Sequence, residues 1–470
     1  MLIIFSAIFS AGYSQTIIVP DDKPTIQDAI NISTNGDTVL VKEGTYYENI
    51  DFSGKNITVG SYFLVTGDTT LISQTIIDAD SLGCAVAFKN NETHDALLSG
   101  FTLINGTGEK VDGLLYGGAI YCSGASPLLD HLHIIGNSAS GIGSGCGGGA
   151  FFNNSQAIIS NSVIMDNSAY YGGGIRCNQA EVTIVNTIIK NNFAISGGGV
   201  MFRECPSSFI RRCIFTGNQA IYGGAVCCSI SSPVIDKTTC FKNKGLYGGR
   251  LNIGYGSNPD LVNSICWKNS MHSGTVSEIY LAEGSNSILV AYSDIEGGQD
   301  SIDDETYGLV YWLDGNINVY PEFTDSSSLD LNLIQGSPCI DAGTDLFVNG
   351  GDTISQITDY YGNAPDMGAF EYQSPQGIEP LPGNDPADGL QVITNFQTGE
   401  NSIVITITRE DLVNLSVWDM QGRIIIILVN RRLLPGNYYL ELQSSYLKPA
   451  VYLIRMNTSS GPVAKKFITY

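Results

Sequence analysis

The residues best suited to chemistry are three cations, Arg211, Arg212 and Lys237, at a repeating position of the sequence. Arg212 and Lys237 each precede a recurring asparagine by six residues, and His131 does so at an earlier repeat. A lysine or arginine of lowered pKa can abstract a proton, and a neighbouring cation can stabilise the anion that forms. The column therefore predicts a catalytic base or a groove for an anionic substrate, or else solvated cations on an acidic protein.

Four further residues are weaker candidates for substrate binding. Arg176 and Arg203 form a second basic set near the strand that follows each glycine pair. Phe151 and Met201 are predicted to face outward from that strand. An outward aromatic face favours binding over catalysis, because aromatic rings supply contact area and no acid or base.

Carboxylates are concentrated after the repeats, where residues 296–372 hold 15 Asp and Glu and no Lys, Arg or His. Clustered oxygen ligands suit Ca²⁺, although the usual spacing of a calcium loop does not occur here. The weak candidate ligands are Asp294, Glu296, Asp300, Asp303, Asp304 and Glu305. The alternative is that these charges only keep the protein soluble.

Two markers recur along the chain with a step of about 25 residues. Glycine pairs are followed by Ala119, Ala150, Ile175, Val200, Ala225 and Arg250. Asparagines recur between them at Asn105, Asn137, Asn167, Asn192, Asn218, Asn243 and Asn269. Two independent markers in one period predict coils that stack on copies of themselves, as in a solenoid. Stacked asparagine amides can bond to each other, so this column is predicted to be a structural ladder.

One regular coil is predicted to hold three short strands, at 175–177, 181–185 and 187–189. Three strands and three turns in 25 residues predict an all-β parallel β-helix, since a propeller blade needs a longer repeat. The residues two positions after the glycine pairs are predicted to form an inward apolar stack. They are Tyr121, Phe152, Cys177, Phe202 and Cys227.

The regular coils span about 100–269, and other segments flank them. A short amphipathic helix near Pro24–Ser33, with Ile26, Ala29 and Ile30 on one face, is predicted to cap the open N-terminal end. The predicted organisation is a signal peptide (1–14), a β-helix (15–372) with its cap (16–36) and closing segment (296–372), a linker (373–389) and a C-terminal β-sandwich (390–470).

Charge and cysteine usage narrow the class of protein. The net charge is −23, and because 390–470 carries 8 Lys and Arg against 5 Asp and Glu, the remaining chain is still more acidic. Such a body repels nucleic acid, and no apolar run is long enough to span a bilayer.

Of the 11 cysteines, Cys240 and Cys266 should lie about 5 Å apart on adjacent coils. They could form a disulfide or pack as small buried side chains.

Several stretches resemble secreted bacterial right-handed parallel β-helix repeat proteins of the pectin-lyase-like superfamily. The N-terminal match lies in IIVPDDKPTIQDAI and NGDTVLVKEGTYYENI. A closing segment common in such surface proteins is similar to SDIEGG, GNINVYPEF, GSPCIDAG and DMGAFEY. The end of the chain resembles the C-terminal sorting domain of the type IX secretion system, through LSVWDMQGRIIIILV, LPGNYYLEL, AVYLIRM and the final KKF.

These resemblances imply export by a signal peptide and recognition of the C-terminal domain by secretion machinery, so that the protein is secreted or displayed on the outer cell surface. We expect an adhesin-like or carbohydrate-binding protein whose partners are extracellular glycans. One alternative is a polysaccharide lyase or glycoside hydrolase acting on acidic polysaccharide, and another is a passive structural surface protein. The interpretation leans towards binding, because no outward column stacks several carboxylates and no known catalytic signature occurs.

Overall fold

The computed structural model describes residues 14–141, 144–271, 278–282, 284–304, 308–372, 389–394, 401–419, 424–442, 450–459 and 461–469. The chain divides into two compact units, Met1–Tyr372 and Gln373–Tyr470. Residues 1–13 of the expected signal peptide and most of the expected linker lie outside the described residues.

Three long parallel sheets form the first unit, and a regular coil adds one strand to sheets C, A and B in that chain order. Sheet A consists of Thr16–Val19, Thr38–Val41, Thr58–Ser61, Leu97–Ser99, Leu128–Asp130, Ile158–Ser160, Thr183–Val185, Phe209–Arg211, Val234–Asp236, Asp260–Val262, Ser287–Ala291 and Leu309–Trp312. Sheet B consists of Gly44–Tyr47, Thr75–Asp78, Thr102–Ile104, His133–Ile135, Val163–Met165, Ile188–Lys190, Ile214–Thr216, Thr239–Phe241, Ile265–Trp267 and Asp294–Ile295. Sheet C consists of Ile50–Asp51, Val86–Phe88, Ile120–Ser123, Ala150–Asn153, Ile175–Asn178, Val200–Arg203, Val226–Ser229, Leu251–Gly254, Ile279–Leu281 and Ile302–Asp303. The predicted parallel β-helix is confirmed.

The asparagine column forms a hydrogen-bonded ladder through six of the seven predicted residues. Asn167 Oδ1 accepts from the backbone N–H of Asn137 at 2.8 Å and from its Nδ2 at 3.1 Å. Asn192 Oδ1 accepts in the same way from Asn167, at 3.0 Å for both atoms. The pattern continues through Asn218, Asn243 and Asn269. Every rung is buried, so the ladder satisfies polar groups that would otherwise be costly inside the coil.

Asn105 lies one position before this ladder. The backbone N–H of Gly106 donates to Asn137 Oδ1 at 2.8 Å, so Gly106 occupies the rung of that coil. Asn105 is exposed, has a φ of 57° and donates instead to the carboxylate of Asp78. Its left-handed conformation is one that asparagine tolerates in a turn.

The inward stack beside the ladder is also shifted in two coils. Strand register pairs Cys122 with Phe152 and Phe202 with Cys228, and these side chains are buried in the main core. Tyr121 and Cys227 were predicted in that stack and instead belong to the outward column. The shift arises in coils where two glycines rather than three precede the strand, so that the count from the glycines is one residue short. A shift of one residue moves a side chain from the inner to the outer face of a strand.

All eleven cysteines carry free thiols, and ten of them are buried. Cys240 and Cys266 are register partners on adjacent strands of sheet B, and both side chains point into the core. Arg250, also buried, donates from Nη1 to Cys266 Sγ at 2.6 Å. The structure therefore holds this pair as packed thiols rather than as a disulfide.

The N-terminal cap is the helix α1, Ile26–Ile32, whose Ile26, Ala29 and Ile30 are buried as expected. Thr25 rather than Pro24 is its N-cap, and the Thr25 hydroxyl accepts from the backbone N–H of Asp28. Further helices are α2, Phe63–Thr66, α3, Thr70–Gln74, and a 3₁₀ turn at Gly298–Ser301. Short strand pairs are Glu109–Val111 with Leu114–Tyr116, Ser138–Ala139 with Ser168–Ala169, and Lys244–Gly245 with Ser270–Met271.

The expected closing segment does two separate things. Its first part adds the strands Ile302–Asp303 and Leu309–Trp312, which continue sheets C and A. The remainder, which we call the strap (residues 319–372), packs along the outside of sheets A and B instead of only closing the end. It contains two hairpins, Phe323–Asp325 with Asp330–Leu333 and Leu346–Asn349 with Asp352–Gln356.

Apolar contacts hold the strap against the helix. Phe323 and Met367 belong to a buried cluster with Phe241 and Ile265 of sheet B. A second cluster joins Phe347 of the strap to strands of sheet A, through Val262, Leu289 and Ala291. The strap therefore buries outward side chains of both sheets that a bare coil would leave in solvent.

The second unit contains two small antiparallel sheets around one apolar core. One sheet consists of Gly389–Thr394, Asn401–Ile407 and Gly436–Leu442. The other consists of Ile424–Leu433, Asp411–Asp419, Ala450–Thr458 and Gly461–Thr469. Alternating strand residues such as Val413, Leu415 and Val417 are fully buried, which is the arrangement of a small β-sandwich.

Candidate functional site

The predicted column of cations occupies the tight turn between sheets A and B. His131, Arg212 and Lys237 adopt the left-handed conformation there, with φ values of 49°, 53° and 46°. His131 Nδ1 lies 2.6 Å from the carboxylate of Asp130. The structure thus places these side chains in one column, as the repeat predicts, but each has a different partner.

Lys237 is fully buried, and its ammonium group holds the end of the strap. Nζ donates to the backbone carbonyl of Asp366 at 2.9 Å and forms an ion pair with Glu371. Burial lowers the pKa of Lys237, while the Glu371 carboxylate opposes that shift. Burial also raises the pKa of Asp366 to about 6. The lysine therefore stabilises a chain contact and is not presented to a substrate.

The two arginines beside it are also paired. Arg212 forms an ion pair with Asp359, and its Nη2 donates to the Asp359 carbonyl at 2.7 Å. Arg211 Nε donates to the buried carboxylate of Asp236 at 2.8 Å. Asp236 in turn accepts from the hydroxyl of Ser355 in the strap at 2.8 Å. Strap carboxylates thus pair directly with Arg212 and Lys237, and Arg211 reaches the strap through Asp236.

The acidic candidates do not form a common metal site. Asp294 is buried, and burial raises its pKa to about 6. Its carboxylate accepts from the Cys339 thiol at 3.3 Å, and that of Glu296 accepts from the Lys268 backbone N–H at 2.7 Å. Asp300, Asp303 and Asp304 are exposed, and Glu305 lies outside the described residues. Among the residues that the structure describes, no group of three potential ligands is placed to hold a metal ion.

The outward column of sheet C is covered by a second column. In register along the strands lie Tyr121, Phe151, Arg176, Met201, Cys227, Asn252 and Tyr280. The preceding turn supplies a bridged column of Tyr116, Cys146, Tyr171, Ser196, Tyr222 and Tyr247. Phe151 and Met201 point outward as expected, yet they are only 6% and 7% exposed because this turn column packs over them.

Arg203 is separate from Arg176, because it pairs in register with Asn178, two residues further along the strand. Its side chain is 54% exposed and lies 3.2 Å from the carboxylate of Glu204. Arg176 is 4% exposed and lies beneath the Tyr171 ring. The second basic set therefore comprises one solvated cation and one buried cation.

A shallow depression of about 460 Å³ lies where sheet C turns towards sheet A. Its lining residues come from successive coils and are Ser126, Asn154, Ser155, Gln156, Gln179, Ala180, Glu181, Glu204 and Pro206. Gln156 Nε2 donates to Glu181 at 3.1 Å, and Gln179 Nε2 donates to Glu204 at 2.8 Å. Both hydrogen bonds join a glutamine of one coil to a glutamate of the next.

None of these lining residues was singled out from the sequence. The signal that could have found them is the same 25-residue step, which relates Gln156 to Glu181 and Gln179 to Glu204. Asn154, Gln179 and Glu204 also share a left-handed turn conformation, with φ values of 48°, 50° and 56°. A hydroxyl, amides and carboxylates at one depression can donate to and accept from a polyhydroxylated ligand.

Exposed apolar side chains lie along the opposite edge of sheet C, in the turns that follow Asn192, Asn218 and Asn243. Phe193 is 56% exposed and Tyr222 is 41% exposed. Tyr222 and Tyr247 stack with ring centroids 5.2 Å apart, so these rings cover each other's faces and present their edges to solvent. This edge is an apolar contact surface on the other side of sheet C from the polar depression.

No protein-family model matches the sequence, and no curated protein matches it. Among solved structures, the chain is similar to the tailspike protein gp49 of Acinetobacter baumannii bacteriophage Fri1, described as a capsular polysaccharide depolymerase. The alignment covers 97% of this chain and 78% of that one, at 10% identity and a TM-score of 0.34. A similarity of this size carries no argument about the function of the present chain. None of the helices among the described residues is long and apolar enough to cross a membrane.

Proposed function

We propose that this chain is a secreted or surface-displayed β-helix protein that binds an extended glycan along the outside of sheet C. The single observation that carries the proposal is the depression lined by amide, hydroxyl and carboxylate groups from successive coils. Adjacent coils lie about 4.8 Å apart, so the polar side chains of the depression are spaced along the axis at intervals comparable to those of the hydroxyls of a linear polymer. The apolar edge with Phe193 and Tyr222 supplies contact area across sheet C from it.

The charge of the depression defines the type of glycan. Glu181 and Glu204 contribute carboxylates, and the whole chain carries a net charge of −23. Arg203, the last residue of the strand Val200–Arg203, is a cation that lies next to Glu204 of the depression. Hydrogen-bond acceptors of this kind favour neutral or amine-bearing sugars over polyuronates, which the protein would repel at long range.

Cleavage by elimination has little support from the contacts of the basic residues. A lyase needs a basic side chain of lowered pKa that is deprotonated and free to take a proton from the substrate. Lys237, Arg212 and Arg211 are all engaged by carboxylates, and the first is buried. Lys237 would have to lose its Glu371 partner before it could reach a ligand.

Hydrolysis is the second candidate, and one observation favours it. Glu181 and Glu204 line the same depression, and hydrolysis of a glycosidic bond uses two carboxylates. Each of them accepts a hydrogen bond from a glutamine, which would hold an ionised carboxylate in place. New reducing ends that disappear with Glu181→Gln would favour this candidate over binding alone.

For the second unit we propose a role in export through a type IX secretion machinery. The support is the resemblance of its strand sequences to that sorting domain, at 415–429, 434–442 and 450–456. The proposal also places the protein outside the outer membrane. In a host with this machinery, removal of 390–470 should retain the protein inside the cell, and unchanged release would contradict the proposal.

The binding proposal is tested with full-length protein on an array of neutral, amine-bearing and acidic glycans. We expect binding to a neutral or amine-bearing polymer, and a loss of about 10- to 100-fold in affinity for Gln156→Ala combined with Gln179→Ala, because several hydrogen bonds are removed. Asn186→Ala is the matched control, since Asn186 is an exposed amide at the turn between sheets A and B. Equal affinity of the double variant and the control, or no binding to any glycan, would overturn the proposal.

A further inference from the structure

Arg176 is a buried cation on the outward side of sheet C. It pairs in register with Phe151 on one side and Met201 on the other, and only 4% of the residue is exposed. Arg176 therefore occupies a position where the adjacent coils carry apolar side chains, one aromatic and one a thioether. A guanidinium group here must satisfy five N–H donors with whatever surrounds it.

The surroundings satisfy only part of that demand. Nη1 contacts the thioether sulfur of Met201, which is a weak acceptor. The Tyr171 ring covers the guanidinium at 5.2 Å, and Nε is buried with no hydrogen-bond partner. Among the described residues, no carboxylate forms an ion pair with Arg176. The side chain is thus positively charged, desolvated and uncompensated within the described part of the protein.

An isolated buried charge is expensive. The effective penalty is several kcal/mol per ion unless a counter-ion offsets it. Burial is the largest effect on Arg176 and lowers its pKa, while the thiol of Cys146 has the largest opposing effect. Arginine keeps its charge in proteins, so the penalty is not relieved by loss of the proton.

Cys146 and Tyr171 separate this cation from solvent. Both lie in the bridged turn column over sheet C, and both are half-buried. Cys146 is the one cysteine of the chain that is not fully buried. Arg176 and Arg203 both act to lower the pKa of its thiol, although burial has the larger, opposite effect. The neighbourhood is thus a small electropositive region in a strongly acidic protein.

We propose that Arg176, with Tyr171 and Cys146 at its entrance, forms a binding site for a carboxylate group. A carboxylate is planar and can accept two parallel hydrogen bonds from a guanidinium fork, and one of the donors, Nε, is left without a partner by the described protein. The group could belong to an acidic substituent of a glycan or to a small free carboxylate. The site goes beyond the proposed function, because it can hold a carboxylate whether or not the depression binds a sugar.

The experiment measures thermal unfolding of the full-length protein at constant ionic strength in chloride, acetate, glucuronate and glucose. Ligands that bind only the folded state raise its melting temperature in a saturable way. We expect acetate or glucuronate to raise the melting temperature of the wild type by about 2–4 °C, and glucose to have no such effect. A response to glucuronate alone indicates a sugar carboxylate, and a response to both indicates any small carboxylate.

Arg176→Met is the informative variant, because methionine already occupies the same column in the next coil. It should lose the response to carboxylates, and in chloride it should unfold at or above the wild-type temperature, since the unpaired charge is gone. Arg203→Met is the matched control and should keep the full response. An equal response in wild type and Arg176→Met overturns the proposal.

One further outcome also overturns the proposal. If the wild type does not respond to either carboxylate, Arg176 is a structural side chain without a ligand.

Discussion

Two sides of the same β-helix differ in whether their cations are paired with carboxylates. On the side of sheets A and B, which we call the strapped side, Lys237 and Arg212 are paired with strap carboxylates. On the outside of sheet C, which we call the open face, Arg176 is buried without a carboxylate partner among the described residues. The strap has no Lys, Arg or His, so it contributes only negative charge to these contacts.

This contrast between paired and unpaired cations shows how charged residues on a repeat protein should be interpreted. A column of cations has the same appearance in the sequence whether it faces solvent, a substrate or another segment of the chain. On the strapped side, the column is explained by a segment that lies more than 100 residues later. On the open face, no described segment supplies that explanation, so ligand binding is the more informative hypothesis there.

The largest expected effect is on the strapped side. Lys237→Met leaves the Glu371 carboxylate, only 10% exposed, without its cation, so we expect a loss of about 3–5 kcal/mol in the free energy of unfolding. Fluorescence of Trp267 reports the strap, because its ring lies 5.5 Å from that of Tyr320. Glycan binding on the open face should persist under native conditions.

Arg212→Met is the matched control for that variant. Its partner Asp359 is 61% exposed, so we expect a loss of no more than about 1 kcal/mol. Equal losses for the two variants would mean that the buried pair does not anchor the strap more strongly than the exposed one. Loss of glycan binding in Lys237→Met would remove the distinction between the two sides.

A smaller effect is expected from the interior that both sides share. Asn192→Ala removes the acceptor for the backbone N–H and Nδ2 of Asn167 and leaves Asn218 Oδ1 without one donor, so we expect a loss of about 2–3 kcal/mol. In denaturant, Trp267 fluorescence and glycan binding should be lost at one lowered midpoint. Asn105→Gly, outside the ladder and compatible with the left-handed turn, should cost less than about 1 kcal/mol. Two separate midpoints for Asn192→Ala would show that the sides unfold independently.

The smallest effect concerns pH. Asp260 pairs in register with Leu289, which packs on Phe347 of the strap, and burial raises the pKa of Asp260 to about 6. Between about pH 4 and pH 6 the folded state holds this proton and the unfolded state has released it, so stability contributed by this group falls as pH rises. Asp260→Asn should therefore be more stable than the wild type at pH 7, by on the order of 1 kcal/mol because the group is partly exposed.

Denaturant unfolding of both proteins at several pH values checks this expectation. The stability difference between wild type and Asp260→Asn should grow from about pH 4 to pH 6 and then level off. Parallel profiles over that range would contradict the raised pKa.

The repeat made much of the fold accessible from the sequence. A 25-residue period is local information, and it predicts stacked coils, their strands and the ladder. The amphipathic pattern near Pro24–Ser33 separately predicts the cap helix with buried Ile26 and Ile30. Errors arose where one residue of offset matters. Gly106 rather than Asn105 occupies the first rung, and Cys227 faces outward, because adjacent residues of a strand point to opposite sides.

The chemistry of the charged residues depended on tertiary structure. Lys237 and Glu371 are 134 residues apart, and no period relates them. Lys237, a candidate base in the sequence, forms a buried ion pair because the folded strap places Glu371 beside it. The depression is likewise a property of three-dimensional shape, since its residues share a turn but no motif. By itself the sequence determined the coil, because stacking depends on side chains one repeat apart. Which cations form ion pairs depends on tertiary structure, because their carboxylate partners belong to segments that meet them only after folding.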